Sequence, residues 1–145
     1  MGYLSAQVNQ GDYSIAIGAS SGAALQGDGC VAMGYNAGTT SQGTDSISIG
    51  NLAGYSNQGV QCIAIGKNAG QSAQGTGCVA IGKSAGSTSQ GNYSVALGFN
   101  AAPTSQQNNT IVLNATGTTL SPTTTSQFIV KPISTNTGGS ALYWN

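Results

Sequence analysis

Glutamine recurs every sixteen residues, at positions 10, 26, 42, 58, 74, 90 and 106. Glycine follows it at 11, 27, 43, 59, 75 and 91, and Gln107 takes that place in the seventh copy. A second glycine recurs at 18, 34, 50, 66, 82 and 98. Between the two runs a short apolar motif, such as Ser14-Ile15-Ala16-Ile17-Gly18, Cys62-Ile63-Ala64-Ile65-Gly66 and Ser94-Val95-Ala96-Leu97-Gly98. A short period without insertions predicts a stacked architecture, in which each copy is one coil covered by its neighbours.

With glutamine as position 1 of the repeat, positions 6 and 8 are Ile, Val, Met or Leu in all six copies, and positions 5, 7 and 9 are small. Alternation of large and small over five residues is a strand pattern, and the flanking glycines leave no room for a helix. Glycines near positions 2, 9 and 13 supply the positive φ of corners. The fold expected is all-β: a parallel β-roll, or β-solenoid, of sixteen-residue coils over residues 1–113, with full repeats at 10–105. Larger side chains are expected inside, so Ile15, Ile17, Ile47, Ile49, Ile63, Ile65 and Ile81 should be buried. The stacked glutamines should bond amide to amide along the axis.

That orientation leaves a strip of small residues outside: Ala16, Ala32, Ser48, Ala64, Ala80 and Ala96. A thin roll buries little by itself, and small side chains allow close approach, so the strip is the candidate interface of a homotrimer. After Ile111-Val112-Leu113 the period fails. Residues 114–126 are rich in Thr and Ser and read as a linker. Residues 127–145 read as a short β-rich trimerising tail, with strands at 128–133 and 141–144 around Asn136-Thr137-Gly138-Gly139. Phe128 and Trp144 are its candidate interchain contacts.

Composition excludes most chemistry. Only 4% of residues are charged, with no His, Glu or Arg, and the net charge is zero. No basic patch is present for nucleic acid, and no apolar run approaches the roughly 20 residues of a membrane-spanning helix. The three aspartates fall on three different coils, so neither paired carboxylates nor a triad is available; no enzyme, cofactor or metal site is expected. A depolymerase with a glycosidase site between chains is disfavoured on the same ground. Positions 14 and 15 lack the regular threonine ladder of an ice-binding face. Three Asn-X-Ser/Thr sequons, at Asn92, Asn108 and Asn114, are expected from chance in so polar a chain. Cys30, Cys62 and Cys78 occupy a slot that Ser fills elsewhere and read as small buried thiols. No signal peptide is visible, and Gly2 falls in mid-repeat, which points to a fragment or a processed product.

The motifs Ser-Ile-Ala-Ile-Gly and Ser-Val-Ala-Leu-Gly, followed by Asn-Ala-Gly or Ser-Ala-Gly, resemble the head repeats of trimeric autotransporter adhesins over residues 10–105. That resemblance implies a left-handed parallel β-roll in a trimer, although sixteen residues is longer than the usual head repeat. Ser126-Gln127-Phe128-Ile129-Val130-Lys131-Pro132-Ile133 and Leu142-Tyr143-Trp144-Asn145 resemble segments of phage and giant-virus fibres that precede an endosialidase-type intramolecular chaperone. Together these imply a structural and adhesive part of a trimeric surface fibre, on a virion or phage contacting its host; the alternative is the head of a bacterial trimeric autotransporter adhesin. The expected location is a virion surface or extracellular, alternatively the bacterial cell surface. The expected partners are two further copies and a host-surface glycan or protein receptor. Position 10 changes chemistry from coil to coil while its neighbours hold fixed, so Tyr35, Lys67, Lys83 and Phe99 are the candidate receptor-binding residues.

Overall fold

The computed structural model describes residues 2–132. They form a parallel β-solenoid with no helix. Through β11 each coil contributes one three-residue strand to each of two sheets, and the last coils add four-residue strands to one sheet only. The six-stranded sheet runs β1 (Val8–Gln10), β3 (Ala24–Gln26), β5 (Thr40–Gln42), β7 (Ser56–Gln58), β9 (Ser72–Gln74) and β11 (Thr88–Gln90). The eight-stranded sheet runs β2 (Ile15–Ile17), β4 (Val31–Met33), β6 (Ile47–Ile49), β8 (Ile63–Ile65), β10 (Val79–Ile81), β12 (Val95–Gly98), β13 (Ile111–Asn114) and β14 (Phe128–Lys131). Through the repeats every strand pairs with its equivalent sixteen residues away, as in Ile47↔Ile63 and Gln58↔Gln74. The backbone bonds therefore run along the rod, for example from Ile47 N to Cys62 O at 2.8 Å.

The faces of the eight-stranded sheet are the reverse of the sequence expectation. Ile15, Ile17 and Ile49 are exposed, and Ile47, Ile63, Ile65 and Ile81 are half-buried. The small residues between them point inward: Ala32, Ser48, Ala64, Ala80 and Ala96 are fully buried, and Ala16 is nearly so. Geometry gives the reason. The corner folds back so closely over the inner face that the Ala64 Cβ would stand only 3.2 Å from a Cβ added at Gly70, and the same holds for Ala80 and Gly86. A branched side chain has no room there. Period-two alternation defines two faces; it does not say which one turns inward.

The interior is correspondingly polar. Position 5 is Cys, Ser or Thr and fully buried from Cys30 to Thr110. Its hydroxyl or thiol donates to a carbonyl of the next coil: Ser46 Oγ to Gly59 O at 2.9 Å, Ser94 Oγ to Gln107 O at 2.8 Å. Gln26, Gln42, Gln58, Gln74, Gln90 and Gln106 are all buried. Their side chains cross from one sheet to the other. Each Nε2 donates to the carbonyl eleven residues earlier, Gln58 to Ile47 O at 3.1 Å and Gln106 to Val95 O at 2.9 Å. The expected amide-to-amide ladder is only partly formed, in the steps Gln26 to Gln42 and Gln58 to Gln74, both at 3.2 Å. These bonds satisfy donors that would otherwise be costly in a dry interior.

The corners depend on left-handed backbone. Gly54 has φ +52° and a Cβ there would strike Ser48 Oγ. Non-glycine residues adopt the same conformation, among them Leu25, Ser41, Asn57, Ala73 and Ser89 at the centre of the short strands of the six-stranded sheet. Only the first and third residues of those strands pair, as in Ala24↔Thr40 and Gln26↔Gln42.

The break expected after residue 113 is absent from the sheet. β14 pairs in parallel with β13, Phe128 opposite Ile111. Residues 115–127 form the arc of one more, slightly longer coil, and Asn114 anchors its start by donating to Phe99 O at 2.8 Å. The second tail strand expected at 141–144, and Trp144 with it, lie outside the described residues.

Candidate assembly and adhesive surfaces

Because the small residues fill the interior, the outer face of the eight-stranded sheet carries two unbroken apolar columns. One runs through position 6 from Ile15 to Phe128, the other through position 8 from Ile17 to Val130. Every rung of both is Ile, Val, Leu, Met or Phe. Ile15 is 48% exposed, Leu97 43% and Phe128 49%. An apolar strip of this length, one face of a whole sheet, exceeds what soluble monomers ordinarily leave in water. At its C-terminal end Leu97, Leu113, Val130 and Pro132 line an open hollow of about 330 Å³.

The predicted interface residues are thus corrected. Ala16, Ala32, Ser48, Ala64, Ala80 and Ala96 are enclosed within their own chain and cannot reach another. Their neighbours Ile, Val, Leu and Met form the outward face. Phe128 does lie on that face, directly in line with Ile111.

Tyr35, Lys67, Lys83 and Phe99 are exposed and share one edge of the rod. Backbone bonds fix their register, Ser84 N to Lys67 O at 2.9 Å and Asn100 N to Lys83 O at 3.0 Å. Lys83 Nζ sits 5.3 Å from the Phe99 ring centroid. This cation–π contact draws the ammonium toward the aromatic in the next coil. Asn51 separates Tyr35 from the lysines by a coil on either side, so the four residues make a line and not a cluster.

Sequence reasoning passed over the other edge. Tyr13 and Tyr93 occupy a corner that Gly29, Gly77 and Asn109 fill in other coils. Both take left-handed φ, +60° and +55°, and Tyr13 is 95% exposed. An aromatic residue in a glycine slot was the available signal. Tyr93 lies over Gly77, whose missing side chain makes the space.

The sequons also separate. Asn92 and Asn108 are exposed, and each Oδ1 accepts from the backbone of the preceding coil, at 3.0 Å from Thr76 N and 2.8 Å from Asn92 N. Asn114 is buried.

The YadA head domain repeat matches residues 6–21, 10–37, 26–53 and 73–101, which together cover 77 of the 145 residues. No curated protein and no solved structure matches the chain.

Proposed function

The chain belongs to the family of YadA head domain repeats, and we propose that it is the head of a trimeric surface adhesin. In this reading three copies pack along their rod axes with the Ile and Val columns turned toward one another. The single observation that carries it is the unbroken apolar face from Ile15 to Val130 on a chain with almost no charge. Burying the exposed remainder of an Ile or Val side chain is worth about 1 kcal/mol. Sixteen such residues give on the order of 10 kcal/mol per protomer, on the scale of what association costs.

The family match supports the adhesin head, the alternative reading from sequence, over the virion or phage fibre; the chaperone resemblance of the tail gains nothing from it. The location that goes with this role is the cell surface or the extracellular medium. The column Tyr35, Lys67, Lys83 and Phe99 is the receptor-contacting edge, with aromatic faces for sugar rings and ammonium groups for acidic ones.

Native mass spectrometry tests the assembly. The expected species is roughly 43 kDa, three times the 14.3 kDa chain. Ile65→Asp should convert it to a folded monomer, because the carboxylate would be buried unpaired at the contact. A wild-type monomer would overturn the reading.

A further inference from the structure

Position 5 of the coil forms a column of buried side chains along the rod. Serine at this position accepts the position-5 N–H of the next coil: Cys30 N donates to Ser14 Oγ and Cys62 N to Ser46 Oγ, both at 3.0 Å. Along most of the column a sulfur has an oxygen for its neighbour. Cys30 lies between Ser14 and Ser46. Cys62 and Cys78 alone are stacked sulfur on sulfur, in adjacent coils whose strands pair Ile63↔Val79. There the amide bond runs to sulfur, from Cys78 N to Cys62 Sγ at 3.5 Å. Both thiols are fully buried and free.

We propose that Cys62 and Cys78 are a disulfide site that ties the fourth and fifth coils together when the chain folds in an oxidising compartment. Adjacent coils stand about 4.8 Å apart, inside the Cα range that a disulfide spans. In-register Cβ atoms about 4.8 Å apart must close by about 1 Å to reach the usual ~3.8 Å, and glycines stand on the approach to one of them. Gly75 and Gly77 lead into Cys78, and Gly77 already takes φ +64°. Rotation of one thiol gives up a weak sulfur–carbonyl bond, Cys62 Sγ to Gly75 O or Cys78 Sγ to Gly91 O. The two stacked sulfurs perturb each other's ionisation, holding Cys78 below and Cys62 above the ordinary thiol range. Either sulfur, Cys78 or Cys62, can supply the attacking thiolate.

The exchange needs a small disulfide such as oxidised glutathione. One protein thiolate attacks it, and one glutathione thiolate leaves. The other protein thiol, deprotonated in turn, attacks the mixed disulfide at the first protein sulfur and expels the second glutathione. Two protein thiols lose two protons and two electrons, and two glutathione thiols form. The reaction belongs to the folding stage, before the fifth coil seals over the fourth. Its physiological setting rests on the surface location proposed above, and the chemistry does not.

The test uses full-length protein directed to an oxidising compartment or folded in a glutathione redox buffer. It is denatured without reductant, alkylated and weighed. One alkylated cysteine, Cys30, and a Cys62–Cys78 linked peptide two hydrogens lighter are expected. Reductant should lower the melting temperature by roughly 10 °C, the effect of opening a loop of this length in a chain of this size. Cys62→Ser/Cys78→Ser should fold, since serine fills this position in other coils, and should melt without regard to reductant. Three alkylated cysteines under both conditions, or a link through Cys30, would overturn the proposal. Native mass spectrometry reads the trimer separately, so the failure of one is not the failure of the other.

Discussion

Replacing Gln58 by Ala removes one of the cross-braces that hold the two sheets together. Gln58 donates to Ile47 O at 3.1 Å and to Gln74 Oε1 at 3.2 Å, and accepts from Ser48 Oγ at 2.8 Å. Three bonds at about 1 kcal/mol each give about 3 kcal/mol. The lost methylene adds about 0.8 kcal/mol before any relaxation. The expected loss is about 4 kcal/mol, a large share of the stability of any domain. For a chain of this length that lowers the melting temperature by roughly 12 °C. Gln10 supplies the control, being the same residue at the same position of the repeat. It is exposed and makes one bond, to Ser14 O at 3.0 Å. Gln10→Ala should cost under about 0.5 kcal/mol. Equilibrium urea unfolding of both variants at one protein concentration measures the difference, with unchanged slope as the check on two-state behaviour. Equal midpoints for the two variants would refute the idea that buried glutamines brace the interior.

Other expectations follow from the same geometry. Ala64→Leu should destabilise by about 3 kcal/mol or more in thermal melts, because its Cβ already crowds Gly70; a neutral result would mean that the interior has unfilled room. Leu25→Asn should raise the melting temperature by a few degrees: Leu25 is exposed at φ +56°, and Asn tolerates that conformation better at a cost difference of about 1 kcal/mol. An unchanged or lower midpoint would show that Leu25 earns its place by packing. Combined Tyr35→Ala, Lys67→Ala, Lys83→Ala and Phe99→Ala should abolish binding on a glycan array while leaving the melting curve intact; the same glycans bound equally well would remove this edge as the receptor site.

The coil, its length and the strand at positions 6–8 were legible because glycine and glutamine mark every turn of the rod. Sidedness was not legible. Ile63 and Ala64 alternate equally well with either one inside. The deciding fact is the narrow interior, where the corner at Gly70 closes over Ala64. The buried glutamines were recognised as structural, yet their main partners, carbonyls eleven residues back, depend on the same narrow interior. β14 was legible as a strand but not as a rung: Phe128-Ile129-Val130 matches Ile111-Val112-Leu113 at a spacing of seventeen, one residue out of period. The left-handed residues at Leu25 and Tyr93 were invisible because neither side chain favours that conformation. Their positions follow from the glycine and asparagine that replace them in other coils. The exposure of Tyr35, Lys67, Lys83 and Phe99 follows from their shared position in the repeat, while the pairing of Lys83 with Phe99 required the side-chain directions.

The inside-out coil is the claim on which the rest depends, and cysteine cross-linking tests it directly. In a background with Cys30, Cys62 and Cys78 changed to Ser, one variant carries Ile65→Cys and another Ala64→Cys. The inner site accepts a group of this size, since Ser48 occupies it one coil earlier. After mild oxidation, Ile65→Cys should give interchain cross-linked species on a non-reducing gel. Ala64→Cys should give none and should resist thiol reagents until the protein is unfolded. Cross-linking and ready labelling at Ala64→Cys, with protection at Ile65→Cys, would contradict the account.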